Sequence, residues 1–223
     1  MATSTIQDTA LQHLEAQSRT TRYGPLVWQH TAVVGTELVF PAADGSGTAS
    51  GSAVVAGPLP HTTNYRVDLG PDHAVRALRV DCAGAGWQRT LRLSHDGDGW
   101  SCRTEETGDL GARPGGRGHQ SVPMPGIEDP GRIAPAALIR LTDSPVFLTW
   151  ALRRLGLRPG DEPVRVPTAR ILTPSLTVLT GTSVYQLVSA HRLRVSGDEP
   201  AATYELDDAG IVVSQPGRFR LAH

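Results

Sequence analysis

From Tyr23 onward, apolar residues tend to recur at every second position. The run "NYRVDLG" is the cleanest case. It places Tyr65, Val67 and Leu69 on one face and Arg66 and Asp68 on the other, the period of a half-buried strand. "LVWQHTAV", "GTELVFP", "GSAVVAG", "AVRALRVDC" and "QRTLRLSHDGDGWSCRTEE" extend the series, the last as a hairpin about its "DGDG" turn. "AALIRLTDSP" reads as a further strand, and "VRVPTARILT", "LTVLTGTSVYQLVSA", "HRLRVSG" and "ATYELDDAGIVVSQPGRFRLA" follow it. Short strands divided by frequent turn residues predict a mainly β fold, a single curved antiparallel β-roll or barrel-like domain. Pro163, Pro167 and Pro174 suit edges, bulges or strand starts.

Two segments break the alternation with helical spacing. "STIQDTALQHLEAQ" carries Ile6, Ala10, Leu11 and Leu14 behind Ser4 or Thr5 as a cap, which predicts a short N-terminal helical extension over 1–22. "DSPVFLTWALRRLGLRPGD" predicts a short helix near 144–156. Asp143 or Ser144 is its expected cap, and Pro145 suits the first turn. Val146, Leu148, Leu152 and Leu155 face the sheet, and Gly156 or Gly160 ends the run. "DGSGTASG" reads as a loop, and residues 107–135, dense in Gly and Pro, as a long one. The expected organisation is therefore the extension followed by one β-roll domain over 23–223.

Composition narrows the chemistry. The chain has 223 residues and a net charge of -1, so no global field recruits nucleic acid. All 21 Lys and Arg positions are arginine. This excludes a lysine Schiff base and the lysine of a phosphate-binding loop. No apolar run of about 18 residues predicts a membrane-spanning helix. The N-terminal segment lacks a secretory pattern, so the cytoplasm is the expected location, with Cys82 and Cys102 reduced. Standard catalytic motifs are absent. Two cysteines and singly scattered histidines (His30, His61, His73, His95, His119 and His191) give no metal-ligand spacing. The histidines read as surface or turn residues, and no metal or cofactor is expected. The strand arginines are expected on the solvent face, their stems covering the sheet. In a strongly curved roll, a few of them would line a cavity mouth instead.

The order of several segments resembles a known family. "LVWQH…GTELVFP", "GSAVVAG" and "NYRVDL" come first, and "TLRLSHDGDGW" occupies the middle. "IRLTDSPVFLTWALRRLGLRPGD", "LTPSLTVLTGTSVYQL" and "ATYELDDAGIVVSQPGRFRLA" close the series. Together they resemble the putative glycolipid-binding family of bacterial spiral β-roll proteins over most of Leu26 to Leu221. Two departures stand out. "LTWAL" replaces the Asn-Thr-Leu-Pro usual in the family, and the 107–135 loop is longer than typical. The resemblance implies the same β-roll and points to Tyr65, Arg140, Asp143, Arg153, Arg154, Tyr185 and Gln186 as ligand-binding candidates, because they lie in the matching segments.

Two functions compete. In the first, the roll binds a small amphipathic or lipid-like molecule in an apolar cavity, with the candidate residues orienting its polar head. In the second, the same cavity serves a cofactor-independent cyclase or isomerase of a specialised metabolite. Trp150 would then stack on an intermediate, and Asp143 or His61 would move a proton. A plain structural role for the helix predicts an ion pair between Asp143 and Arg153 or Arg154. The oligomeric state is not encoded in any of these features.

Overall fold

The computed structural model describes residues 24–42, 46–111 and 122–222. The helical extension expected over 1–22 lies outside the described residues. The first half of the chain forms β1 (Leu26–His30), β2 (Gly35–Phe40), β3 (Gly47–Val55), β4 (His61–Leu69), β5 (Val75–Gly84), β6 (Trp87–His95) and β7 (Trp100–Gly108). The second half forms β8 (Leu138–Leu141), the helix α1 (Val146–Leu155), β9 (Val164–Ile171) and β10 (Val178–Ser189). It ends with β11 (Arg192–Gly197), β12 (Ala202–Leu206), β13 (Val212–Gln215) and β14 (Phe219–Leu221).

All these strands join one curved, unclosed sheet in the order β7-β6-β5-β4-β3-β2-β1-β14-β13-β12-β11-β10-β9-β8. The expected mainly β roll is therefore present, open rather than closed, with β7 and β8 at its edges. Two meanders, β1 to β7 and β8 to β14, meet where β1 pairs antiparallel with β14 through Trp28↔Leu221, Gln29↔Arg220 and His30↔Phe219. The β8–β9 pair is parallel, because the chain crosses over through α1 between them, as parallel neighbours require.

Alternation sets the faces. On β4, Tyr65, Val67 and Leu69 are buried while Arg66 and Asp68 are exposed, as the pattern predicts. The "DGDG" turn joins β6 to β7, with the Asp96 N–H donating to the Gly99 carbonyl. The "DGSGTASG" expectation is corrected. β3 begins at Gly47 and pairs with β4 along its length, so cross-strand bonding overrides a turn-like composition.

The helix fills the inside of the curve. Val146 through Leu152 are all buried without a break, the mark of a helix enclosed on every side. The Phe147 ring lies 5.5 Å from the Tyr65 ring on β4, and Thr149 Oγ1 accepts from the Val212 N–H on β13 at 3.1 Å. The helix thus touches both meanders. It ends at Gly156 in the left-handed conformation, φ 59°, which glycine adopts without strain.

The described parts of the 107–135 segment are fastened to the sheet. Arg89, buried on β6, pairs with Glu106 at 2.7 Å and donates to the carbonyls of Pro123 and Ser175. The Trp100 indole N–H donates to the Ala134 carbonyl. No helix among the described residues is long and apolar enough to cross a membrane.

Candidate functional site

The turn from β8 into α1 builds the site. Asp143 has φ 60°, a left-handed conformation that Asp tolerates better than most residues. Pro145 takes the cap position with no side-chain cap bond. This corrects the expected cap, because Ser144 turns its hydroxyl inward. Ser144 Oγ donates to Glu37 Oε1 at 2.5 Å, and Tyr65 donates to the same oxygen at 2.7 Å. Two hydroxyls from different meanders thus converge on one buried carboxyl group.

Glu37 is 1 % exposed. Burial pushes its pKa up to about 7, and the nearby Asp143 charge adds to the rise. The bonds from Ser144 and Tyr65 act the other way, because they favour the ionised form. The Tyr65 hydroxyl is itself driven upward, mainly by burial and then by Glu37, so it remains a donor.

A cavity of about 20 Å³ opens beside this cluster, walled by His30, Glu37, His61, Thr63, Tyr65 and the Leu141–Ser144 segment, among others. Three buried atoms in its walls, His30 Nε2, Glu37 Oε2 and His61 Nε2, have no hydrogen-bond partner among the described residues. An unpartnered buried polar atom costs about 1–3 kcal/mol, and a cavity of this size has room for one small polar group, a hydroxyl or a water, to meet the three. His61 Nδ1 lies 2.7 Å from the Leu59 carbonyl. In the neutral tautomer that contact places the proton on Nδ1 and leaves Nε2 as an acceptor. Burial lowers the His30 pKa, Asp143 opposes the shift and Arg218 adds to it, so a neutral imidazole is favoured. Among the described residues, no group of three His, Cys, Asp or Glu is placed to hold a metal.

A larger cleft of about 300 Å³ shares the Leu141–Ser144 wall. Its rim carries Arg140, Asp143, Arg170, Glu199 and Arg218, and its walls include Leu148, Tyr204 and Phe219. Arg140 and Arg170 are register partners on β8 and β9. Arg170 pairs with Glu199, and burial followed by the Arg140 charge lowers its pKa. The Tyr204 and Phe219 rings stack with centroids 6.3 Å apart.

The candidates read from the sequence divide between site and core. Tyr65, Asp143 and His61 line the small cavity, and Arg140 and Asp143 line the cleft. Trp150 is buried against Phe147, edge to face at 4.9 Å. Tyr185 is fully buried next to Arg140 and Thr168. Gln186 is partly exposed on β10 opposite Arg194. Arg153 and Arg154 occupy the last turn of α1, where they suit the helix dipole, and Arg154 donates to the Ala137 carbonyl. The expected ion pair is corrected. Asp143 pairs with Arg218 at 2.7 Å, because the turn carries its carboxylate toward the β13–β14 connection rather than along the helix.

Sequence reading missed His30, Glu37, Ser144 and Arg218. His30, read as a surface or turn residue, is buried. One signal was present: Glu37 is in phase with Val39, and His30 with Trp28, on strands whose inward face is apolar. Leu38 and Phe40 on the other face of β2 masked it.

The fold itself is shared with a solved protein. The crystal structure of a DUF1089 family protein from Pseudomonas aeruginosa matches with a TM-score of 0.61. It is 20% identical, and the match covers 83% of this chain and 91% of that one. At that identity the likeness speaks for the fold alone. No curated protein matches the chain in sequence. The model of the family described as putative glycolipid-binding matches residues 25–220, and the chain belongs to that family.

Proposed function

We infer that the protein binds the polar head of a small, glycolipid-like amphiphile at the β8–α1 turn. The observation that carries this reading is the convergence, among the described residues, of His30 Nε2, Glu37 Oε2 and His61 Nε2, buried and unpartnered, on a cavity with room for one hydroxyl of such a head, beside a cleft of about 300 Å³ for the rest. The neighbouring cleft supports it. Sugar hydroxyls both donate and accept, and the Asp143–Arg218 and Arg170–Glu199 pairs offer both partners. Leu148, Tyr204 and Phe219 supply an apolar wall for the start of a chain. Because α1 packs against both meanders where the apolar cavity was expected, this reading lays the apolar part of the ligand along the cleft instead.

The Glu37 carboxyl, poised at about 7 between two hydroxyls, favours a second reading. It suits a group that takes and returns a proton, as a cofactor-independent isomerase or cyclase needs.

Mass spectrometry of molecules extracted from the native protein, with calorimetric titration of short-chain glycolipids, tests both readings. Binding that weakens about tenfold in Asp143→Asn and Arg218→Ala is expected, the worth of one charged hydrogen bond. A protein that retains no amphiphile and binds none of the panel sinks the binding reading. Recovery of a ligand as an isomer of equal mass, abolished by Glu37→Gln, selects the enzyme.

A further inference from the structure

The face of the sheet opposite Tyr65 carries a row of arginines. Arg66 on β4 is the register partner of Arg79 on β5, Arg79 of Arg92 on β6, and Arg92 of Arg103 on β7. All four are exposed. At about 4.8 Å between strands, the guanidinium stems are rooted along about 14 Å across the sheet. Like charges placed directly opposite weaken strand pairing. Two of the four are offset: Arg79 donates to Asp81 at 2.8 and 3.0 Å, and Arg92 lies 3.6 Å from Glu105. Arg66 and Arg103 have no carboxylate at ion-pair distance among the described residues.

The row borders a depression of about 440 Å³ in which Ala77, Ser94 and Ser101 are the small lining residues. Ala77 pairs with Ser94, and Ser94 with Ser101, in the row next to the arginines. The result is a groove across four strands, β4 to β7, with four guanidiniums along one side. Its single acidic lining residue, Asp68, accepts from Thr48 at 2.7 Å.

We propose that this groove binds a linear chain of phosphate groups, inorganic polyphosphate being the simplest form. Guanidinium forks match tetrahedral oxyanions in bidentate geometry, and a regular row of them matches a regular chain of anions. Among the described residues no aromatic side chain lines the groove, so it lacks the stacking platform that single-stranded nucleic acid uses. None of the exposed large apolar residues, Val34, Phe40, Val54, Met124, Leu179 and Val188, lines it either, so it lacks the apolar contacts of a bilayer-seated surface. A slender, unsubstituted chain fits a groove lined with Ala and Ser. The site faces away from the Glu37 cavity and is independent of it.

Titration of the full chain with polyphosphate at low salt tests the proposal. Saturable binding that weakens with salt is expected. Arg66→Ser with Arg103→Ser should lower affinity by about tenfold per guanidinium and reduce the salt slope by about one for each. Arg66→Gln with Arg103→Gln, which keeps the stems, should do the same and serves if the first pair fails to fold. Arg165→Ser with Arg194→Ser removes equal charge from exposed positions on β9 and β11 and should leave affinity unchanged. Equal losses in both pairs, absence of saturable binding, or tighter binding of oligothymidylate or phosphatidylglycerol vesicles would overturn it.

Discussion

Ser144 and Glu37 lie 107 residues apart in the chain and are joined by a 2.5 Å hydrogen bond inside the protein. The bond ties the β8–α1 turn to β2, and Tyr65 on β4 completes it. A buried carboxyl group thus depends on donors from both meanders, and its protonation becomes a property of the fold.

The first prediction concerns pH. In the unfolded chain Glu37 ionises near 4.5, whereas the folded protein holds its proton to about 7. Its contribution to stability is complete below pH 4.5 and is lost as pH rises toward 7. The loss amounts to about 3 kcal/mol. His30 acts in the opposite sense: its folded pKa is lowered from 6.5, so it costs stability as pH falls below that value. Urea denaturation of the native protein and of Glu37→Gln between pH 4 and 8 separates the two. The difference between the curves should change by about 3 kcal/mol over that range, and a flat difference would refute the assignment.

Ser144→Ala removes one of the two bonds that hold the Glu37 pKa down. A bond to a charged group contributes about 1.5–3 kcal/mol and one between neutral groups about half that. The variant should therefore lose more stability at pH 8 than at pH 5. Equal losses at the two values would show that the bond does not distinguish the carboxylate from the acid.

Gly51 faces Tyr65 across β3 and β4, and a Cβ there would fall within the Tyr65 ring. Glycine in a strand interior often marks such a close approach. Gly51→Ala should displace the ring, break its bond to Glu37 and cost about 1–3 kcal/mol. Thermal denaturation measures the cost, and the upward shift of the Tyr65 titration, part of which comes from Glu37, should shrink with it.

Trp150 is 3 % exposed and packs on Phe147. Trp150→Ala should cost about 3–5 kcal/mol, as large-to-small core changes do. Added ligand should not rescue it beyond ordinary mass action. A variant that stays stable but loses binding would return Trp150 to the site.

Much of the fold was legible because alternation is local. The faces of β4, the β6–β7 turn and the helix ending at Gly156 follow from residues close together in sequence. The site was only half legible. Tyr65, Asp143 and Arg140 stood in segments that resembled a family, His61 was named only as a proton-moving candidate, and all four line the cavity or the cleft. Glu37 and His30 were hidden because an inward acid or imidazole on a short strand looks the same as an outward one until strand pairing fixes the face. Ser144 was read as a cap because Ser before a helix ordinarily serves that purpose; only the β2 neighbour, which no local rule supplies, redirects it. Arg218 could not be matched to Asp143 without the pairing of β1 with β14.

That pairing has a temporal consequence. His30, Glu37 and Tyr65 come from the first meander, and Asp143, Ser144 and Arg218 from the second. A growing chain can zip each meander from neighbouring hairpins, but β1 must wait for β14, its partner nearly two hundred residues later. The cavity around Glu37 is therefore among the last features to assemble, and a chain truncated before Phe219 would present its two halves without joining them.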